Sequence, residues 1–271
     1  MANVAPCQDN RMKPAAFLLA ALLPLGSASG QFPGQDLFVA ELAQESGIDA
    51  GRIEATLGQA KRLQSIIDAI SRPAEAKPWR DYRPIFMTQA RIDGGLAFMR
   101  EHAQVLEQVE RDTGVPASLI AAIIGVETSY GRITGSYRVL DALVTLGFHY
   151  PPRADFFRGE LKHLFRLVDE EQLDIQQIKG SYAGAMGWGQ FIPSSYRAYA
   201  VDGDGDGRRD LWNSIPDIIA SVANYFVEHG WAEGGLVALP ARRQDDAQAF
   251  QRDGLQPRIE VNAYGKDDVA R

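Results

Sequence analysis

Between Val115-Pro116 and Gly131 the chain carries an apolar helix that ends in an acid: Ile123-Ile124-Gly125-Val126-Glu127-Thr128-Ser129-Tyr130-Gly131. Proline is tolerated at the first helical position. Gly131 is placed to close the helix in a left-handed turn. Leu119, Ile123 and Glu127 follow at intervals of four and share a face. A carboxyl on an aliphatic face is predicted to be desolvated, which disfavours its charged form and raises its pKa. An acid that keeps its proton near neutrality can act as a general acid. A partly exposed glutamate at a helix end is the plainer alternative.

The chain has 271 residues, 45% of them hydrophobic, enough for one large domain or two modest ones. A charged fraction of 23% argues against wholesale disorder. The formal net charge is −7 and no long basic run occurs, which argues against nucleic acid as a partner.

Residues 1–30 read as a secretory signal: Arg11 and Lys13 precede the apolar run Ala15–Leu23, and small residues follow from Gly26 to Gly30. The run is shorter than the roughly 20 apolar residues that a membrane anchor needs. Met12 is an alternative start. Cleavage removes Asp9, Arg11 and Lys13, one acid and two bases, and takes the formal charge from −7 to −8. It also removes Cys7, the single cysteine, which precedes the apolar run and is not placed to carry a lipid. The mature chain is then expected to be soluble and periplasmic, without disulfide or thiol chemistry.

Helical periodicity dominates the rest. Residues 36–70 read as two or three short helices, with a stop at Gly47 and a cap at Asp49. Arg72–Pro84, with three prolines and two aromatics, is expected to be an extended, ordered loop. One helix is expected from Ile92 to Arg111, with Leu96, Met99, Ala103, Leu106 and Val109 on one stripe. Further helices are expected over Leu140–Leu146, over the amphipathic stretch Phe156–Val168, and around Ile218, Val222 and Phe226. Ile259-Glu260-Val261 is a weak strand signal, and the chain after residue 240 is polar. No internal repeat is present.

Asp202-Gly203-Asp204-Gly205-Asp206-Gly207 has the D-x-D-x-D-G spacing that opens a calcium loop. Alternate carboxylates in a tight turn offer the hard oxygens that calcium takes, and the seventh position, Arg208, would add its backbone carbonyl. Asn213 stands where the usual twelfth-position glutamate would be; Asp217, in the first turn of the next helix, is the nearest alternative. Its plainer role is to stabilise that helix's N-terminus, and that of the triplet is a solvated turn.

Three blocks taken together resemble the lytic murein transglycosylase B family (glycoside hydrolase family 103): Gly125–Gly131, Ser181–Ser195, and Ser221–Phe226 with Gly230-Trp231. The similarity runs from about residue 36 to 240. It implies a mainly α fold: an α+β lysozyme-like catalytic core, a flanking helical domain and an EF-hand-like calcium loop. The expected division is a signal peptide at 1–30, an N-terminal helical domain at 31–115, a catalytic core at 116–240 with its calcium loop at 202–217, and a polar segment at 241–271.

The resemblance further implies peptidoglycan as substrate and cleavage of the β-1,4 bond between N-acetylmuramic acid and N-acetylglucosamine. Glu127 matches the family's single catalytic acid, which protonates the glycosidic oxygen and then, as base, takes the proton of the muramic C6 hydroxyl as it closes on C1. The product ends in 1,6-anhydromuramic acid. Ser181 matches a residue near the acetamido group, Gln190 a polar group of the cleft, and Tyr82 and Tyr225 aromatics that pack on sugar rings. Arg153 is a candidate for a lactyl or peptide carboxylate, and Met186 for the cleft wall or the core. The calcium ligands implied are Asp202, Asp204, Asp206, Arg208 and Asp217, and no organic cofactor is implied.

Family members usually continue past the equivalent of residue 240 and return a Tyr-Asn pair to the site; Asn262-Ala263-Tyr264-Gly265 does not match it. The alternatives to a transglycosylase are a hydrolytic muramidase, a catalytically impaired peptidoglycan-binding protein, and a calcium-regulated binding protein.

Overall fold

The computed structural model describes residues 32–72 and 77–235. Three short helices open it: α1 Gln35–Ser46, α2 Ala50–Leu57 and α3 Gln64–Ile70. Gly47 ends α1 with φ 73°, and Asp49 caps α2 by accepting the Arg52 N–H at 2.9 Å.

The next stretch corrects the expectation of an extended loop over Arg72–Pro84. A helix, α4 Trp79–Phe86, starts directly after Pro78 and contains Pro84. The proline is tolerated because the helix has only two turns and the carbonyl left without its usual bond belongs to Arg80, an exposed residue. The single helix expected from Ile92 to Arg111 is two, α5 Gln89–Glu101 and α6 Ala103–Thr113, which meet at His102. Leu96 of the expected stripe is exposed, and Phe98 takes the buried place on α5.

The remaining helices are α7 Ala117–Thr128, α8 Val139–His149, α9 Ala154–Glu170, α10 Pro193–Tyr199 and α11 Ile215–Glu228, with a 3-10 turn at Pro151–Arg153. α8 is buried from Val139 to Phe148 and forms the axis of the core, with α9 and α3 packed on it. The single sheet among the described residues is an antiparallel pair, β1 Tyr137–Arg138 with β2 Lys179–Gly180, in the register Tyr137 opposite Gly180. The fold is therefore mainly α with a small β element, as expected.

The buried apolar side chains form one cluster that reaches from Phe32 to Ala223. α5 packs on α7 and α6 on α11. Buried polar groups pin the segment after α2 to α8: Asp141 accepts the Lys61 N–H at 2.7 Å, and Thr145 Oγ1 accepts the Leu63 N–H at 3.0 Å. Each bond satisfies a group that would be costly to bury alone.

Two histidines give this core a pH dependence. Burial pushes His149 and His163 below the usual imidazole value of 6.5. His149 Nε2 is buried without a hydrogen-bond partner among the described residues. A depressed pKa means that the unfolded chain binds the proton more readily, so the contribution is present above pH 6.5 and is lost as pH falls through the folded value. Calorimetry should show a lower melting temperature at pH 5.5 than at pH 7.5. His149→Phe should shrink that difference; an equal drop in the variant would remove His149 from the effect.

No helix among the described residues is long and apolar enough to cross a membrane. The expected signal at residues 1–30, the strand signal at Ile259–Val261 and the Asn262–Gly265 segment lie outside the described residues.

Candidate active site

α7 carries the candidate acid, and its end differs from expectation. The helix stops at Thr128, and Ser129 and Tyr130 themselves take left-handed φ values of 52° and 60°. The Ser129 N–H bonds Gly125 O and the Tyr130 N–H bonds Ile124 O, so the last carbonyls are satisfied before Gly131 is reached. Gly131, φ 75°, answers a different need: a Cβ there would run into the Trp188 indole. Tyr130 is wedged between α5 and α7, its hydroxyl donating to Arg91 O at 3.1 Å.

The face assigned to Leu119, Ile123 and Glu127 is also corrected. The core-facing stripe is Ile120, Ala121, Ile124 and Thr128; Leu119 and Ile123 are half-buried, and Glu127 is exposed. The spacing is as read, but Leu119 and Ile123 pack only at the margin of the core, and Ile123 and Glu127 line a cleft.

The cleft has a volume of about 350 Å³. Ile123, Phe191, Ile192, Val222 and Phe226 supply apolar walls, and Glu127, Gln190, Ser195 and Tyr225 supply polar groups. Glu127 is the single carboxylate among these lining residues. Behind it, the Thr128 hydroxyl is buried, donates to Trp188 O at 2.9 Å and accepts the Gly131 N–H at 3.0 Å. Trp188 N–H in turn bonds Leu211 O at 3.0 Å. This holds the glycine-rich segment against the end of α7. Gln190 sits at φ 52°, with its amide nitrogen donating to Gly187 O at 2.9 Å and Thr134 O at 3.2 Å. Its amide therefore has an oxygen to offer a ligand rather than an N–H. Tyr225 is 40% exposed and stacked on His229 at 4.0 Å between centroids.

The structure thus brings Glu127, Gln190 and Tyr225 together. Ser181 lies outside the lining set: its Oγ accepts the Ala183 and Ala185 N–H groups at 3.2 and 3.1 Å. Met186 has 0% exposure and belongs to the core, not to the cleft wall, which removes it as a substrate contact: it bridges Gly180 and Phe191 through its backbone. Tyr82 is in α4, within reach of Trp79 and Phe86, and is not a lining residue. Arg153 is not one either; its guanidinium lies over Phe156 and Phe157, 4.3 and 5.1 Å from the ring centroids. Ile123, Ser195 and Val222 are lining residues that the sequence reading places in a helix or a block but not in the site. Their only signal is position: one turn before Glu127, within the Ser181–Ser195 block, and one turn before Tyr225.

The acidic loop forms a second constellation. Oxygens of Asp202, Asp204 and Asp217 lie within 4.8 Å of one another, a spacing that a divalent cation could bridge. Asp217 is 1% exposed and accepts the N–H groups of Gly203 and Asp210, each at 2.7 Å. Burial pushes its pKa up. Asp202 is pushed down, first by the Gly207 N–H at 2.8 Å. Asp206 is outside the group of three; its Oδ1 accepts the Arg208 N–H at 2.8 Å. Arg208 is exposed.

Comparison with known proteins places the chain among relatives. The family model described as a transglycosylase SLT domain matches residues 34–271. The membrane-bound lytic murein transglycosylase B of Escherichia coli K12 is 41% identical over 233 residues, 82% of this chain and 64% of that protein. The chain thus spans less than two thirds of the length of that curated relative. Among solved structures, the soluble lytic transglycosylase SltB1 of Pseudomonas aeruginosa matches with TM-score 0.75 and 52% identity, covering 79% of this chain and 72% of that one. Slt35 of Escherichia coli in complex with calcium matches with TM-score 0.74 and 42% identity, covering 79% and 68%. SltB3 of Pseudomonas aeruginosa in complex with NAG-NAM-pentapeptide matches with TM-score 0.70 and 31% identity, covering 79% and 57%. The lysozyme-like arrangement expected of the helices is the fold of these relatives.

Proposed function

The chain belongs to the transglycosylase SLT domain family, and from that premise we propose that it is a lytic transglycosylase of peptidoglycan. One observation carries the proposal: the cleft presents one carboxylate, Glu127. Glycosidases that use water as the acceptor generally need two carboxyl groups flanking the bond, one to give a proton and one to attack or to activate water. A cleft with one acid suits a reaction in which the acceptor is part of the substrate.

In that reaction Glu127 gives its proton to the glycosidic oxygen as the C1–O bond breaks. The acetamido carbonyl of the muramic residue supports the developing positive centre at C1. The C6 hydroxyl then bonds C1, and its proton returns to Glu127. The product is a 1,6-anhydromuramyl end and no water is consumed. Because Glu127 is exposed in the free protein, the exclusion of water falls to the bound glycan itself, which fills the apolar cleft over it.

The other residues take supporting roles in this reading. Tyr225 offers a ring face to a sugar, and Gln190 its amide oxygen to a hydroxyl. Ser181, whose oxygen already accepts two N–H groups, has its own proton to donate to an acetamido carbonyl. Arg153, stacked on two rings, remains a candidate for a carboxylate on an outlying part of the strand.

Calcium is the cation we assign to Asp202, Asp204 and Asp217, with Asp206 and the Arg208 carbonyl as further oxygens. Three crowded carboxylates and a solved calcium complex of Slt35, 42% identical, support it. The ion would neutralise the cluster and tie α11 to the loop. The site is proposed to work in the periplasm, with residues 31–115 supporting a catalytic core at 116–240.

Release of dye from covalently dyed sacculi tests the activity. The rate is expected to rise in proportion to enzyme concentration. A folded protein that releases nothing would overturn the reading.

A further inference from the structure

α10 cannot cap its own start. Its first residue is Pro193, which carries no N–H, and Ile192 before it has no side-chain acceptor to offer. The Ser194 N–H is one of the donors that a helix start leaves without an intrahelical partner. Glu160, 34 positions earlier on α9, supplies the acceptor. Its Oε2 accepts the Ser194 N–H at 2.9 Å, and its Oε1 accepts the Ser194 hydroxyl at 2.7 Å. Glu160 is 5% exposed, and burying a carboxylate is costly unless its oxygens are bonded. Here both oxygens go to one residue.

That residue stands inside the cleft wall. Gln190, Phe191, Ile192 and Ser195 line the cleft on either side of it. Toward the glycine-rich segment the wall is held by Phe191, whose N–H and carbonyl bond the carbonyl and N–H of Met186, each at 2.9 Å. Toward α9 it is held by Glu160. The far end of α10 has a second grip: Arg197 Nε donates to the two Glu170 oxygens at 3.0 and 2.9 Å, and its Nη1 donates to His163 Nδ1 at 2.8 Å. Glu170 is exposed, so that ion pair is screened by water, and neither Glu170 nor Arg197 lines the cleft. α9 thus grips α10 at both ends, once buried beside the cleft and once at the surface.

We propose that Glu160 is a positioning residue for glycan cleavage: by fixing Ser194 it sets the place of Ile192 and Ser195, and so where a strand lies relative to Glu127. The proposal rests on the reading of Glu127 as the acid of a lytic transglycosylase. Glu160 moves no proton and touches no substrate in this account; it acts through the wall. Alignment makes a rate steep in distance, a shift of about 1 Å costing about 100-fold. A contact that only stabilised the packing of α9 on α10 would lower the melting temperature without acting on kcat in particular. Glu170 offers that comparison on the same two helices. Glutamine has the shape to stand in for Glu160, because its amide oxygen can accept the Ser194 N–H while its amide nitrogen donates to the Ser194 hydroxyl oxygen.

The test is the steady-state cleavage of soluble, uncrosslinked glycan strands by the full chain, each variant assayed well below its own melting temperature. Glu160→Ala should lower kcat by about tenfold or more and leave KM within about twofold, because Tyr225 and the apolar walls still hold the sugar. Glu160→Gln should bring kcat back to within about threefold of the parent. Glu170→Ala should keep the parent kcat even where it melts lower. Ser194→Ala removes one of the two bonds and should lower kcat severalfold; it also carries the test if the Glu160→Ala chain does not fold. Parent-like kcat in Glu160→Ala and Ser194→Ala, an equal fall in Glu170→Ala, or a loss carried wholly by KM would overturn the positioning role and leave the proposed activity standing. A folded parent that cleaves nothing would overturn both.

Discussion

Glu127→Gln is expected to lower the rate of glycan cleavage by about 1,000-fold or more, with a melting temperature close to that of the parent. The two halves of this expectation have separate causes. The amide has no acidic proton to give to the leaving oxygen, and nothing else lining the cleft is a carboxyl group. The fold is insensitive because the side chain is exposed, and exposed substitutions usually cost within about 0.5 kcal/mol. Binding should persist, since the apolar wall and Tyr225 are untouched. Glu127→Asp is the finer probe: it keeps the acid and withdraws it by one methylene. A displacement of about 1 Å can cost about 100-fold in rate, so this variant should fall between parent and Gln. Parent-like cleavage by Glu127→Gln would remove Glu127 from the chemistry.

Calcium should raise the melting temperature by roughly 5–10 °C over chelator-treated protein when the ion is present at about a hundred times its dissociation constant. Binding to the native state alone then contributes about 2.7 kcal/mol, and each kcal/mol moves the midpoint by about 2–4 °C in a protein of this size. The loop explains why the effect would be large. Oxygens of three carboxylates lie within 4.8 Å of one another, and one of the three, Asp217, is buried. Substituting Asp202 and Asp204 together by Asn should abolish the calcium-dependent shift. Asp217→Ala should do more: it also strands the N–H groups of Gly203 and Asp210, at a cost of about 3 kcal/mol even without the ion. Differential scanning calorimetry of the three proteins, with calcium and with chelator, reads both effects. Identical melts in both conditions would sink the calcium site.

The helices of this fold were legible wherever caps and periodicity agreed, as at Gly47 and Asp49. They were misread where tertiary context overrode a local rule. Pro84 argued against a helix over Trp79–Phe86, yet on an exposed two-turn helix a missing hydrogen bond is made good by water. Nothing in the residue types marks the break at His102 between α5 and α6, and a two-residue strand such as Tyr137–Arg138 is too short to show alternation. The site follows the same pattern. The spacing of Leu119, Ile123 and Glu127 correctly put three residues on one face, but α7 has two apolar faces, and periodicity cannot tell which meets the core. Ile120 and Ile124 are buried in the core, while Ile123 and Glu127 line a cleft whose opposite wall is Val222, Tyr225 and Phe226 of α11. Gly131 is legible only as a left-handed glycine closing the helix; its contact with Trp188 is not, because Trp188 is 57 positions away in the sequence.

The central claim is that Glu127 cleaves peptidoglycan without water. Mass spectrometry of the muropeptides released from purified sacculi tests it most directly, because the two outcomes differ by the mass of one water on every new end. The account predicts 1,6-anhydromuramyl ends from the parent protein and none from Glu127→Gln. Reducing muramic acid ends, formed by addition of water, would contradict it.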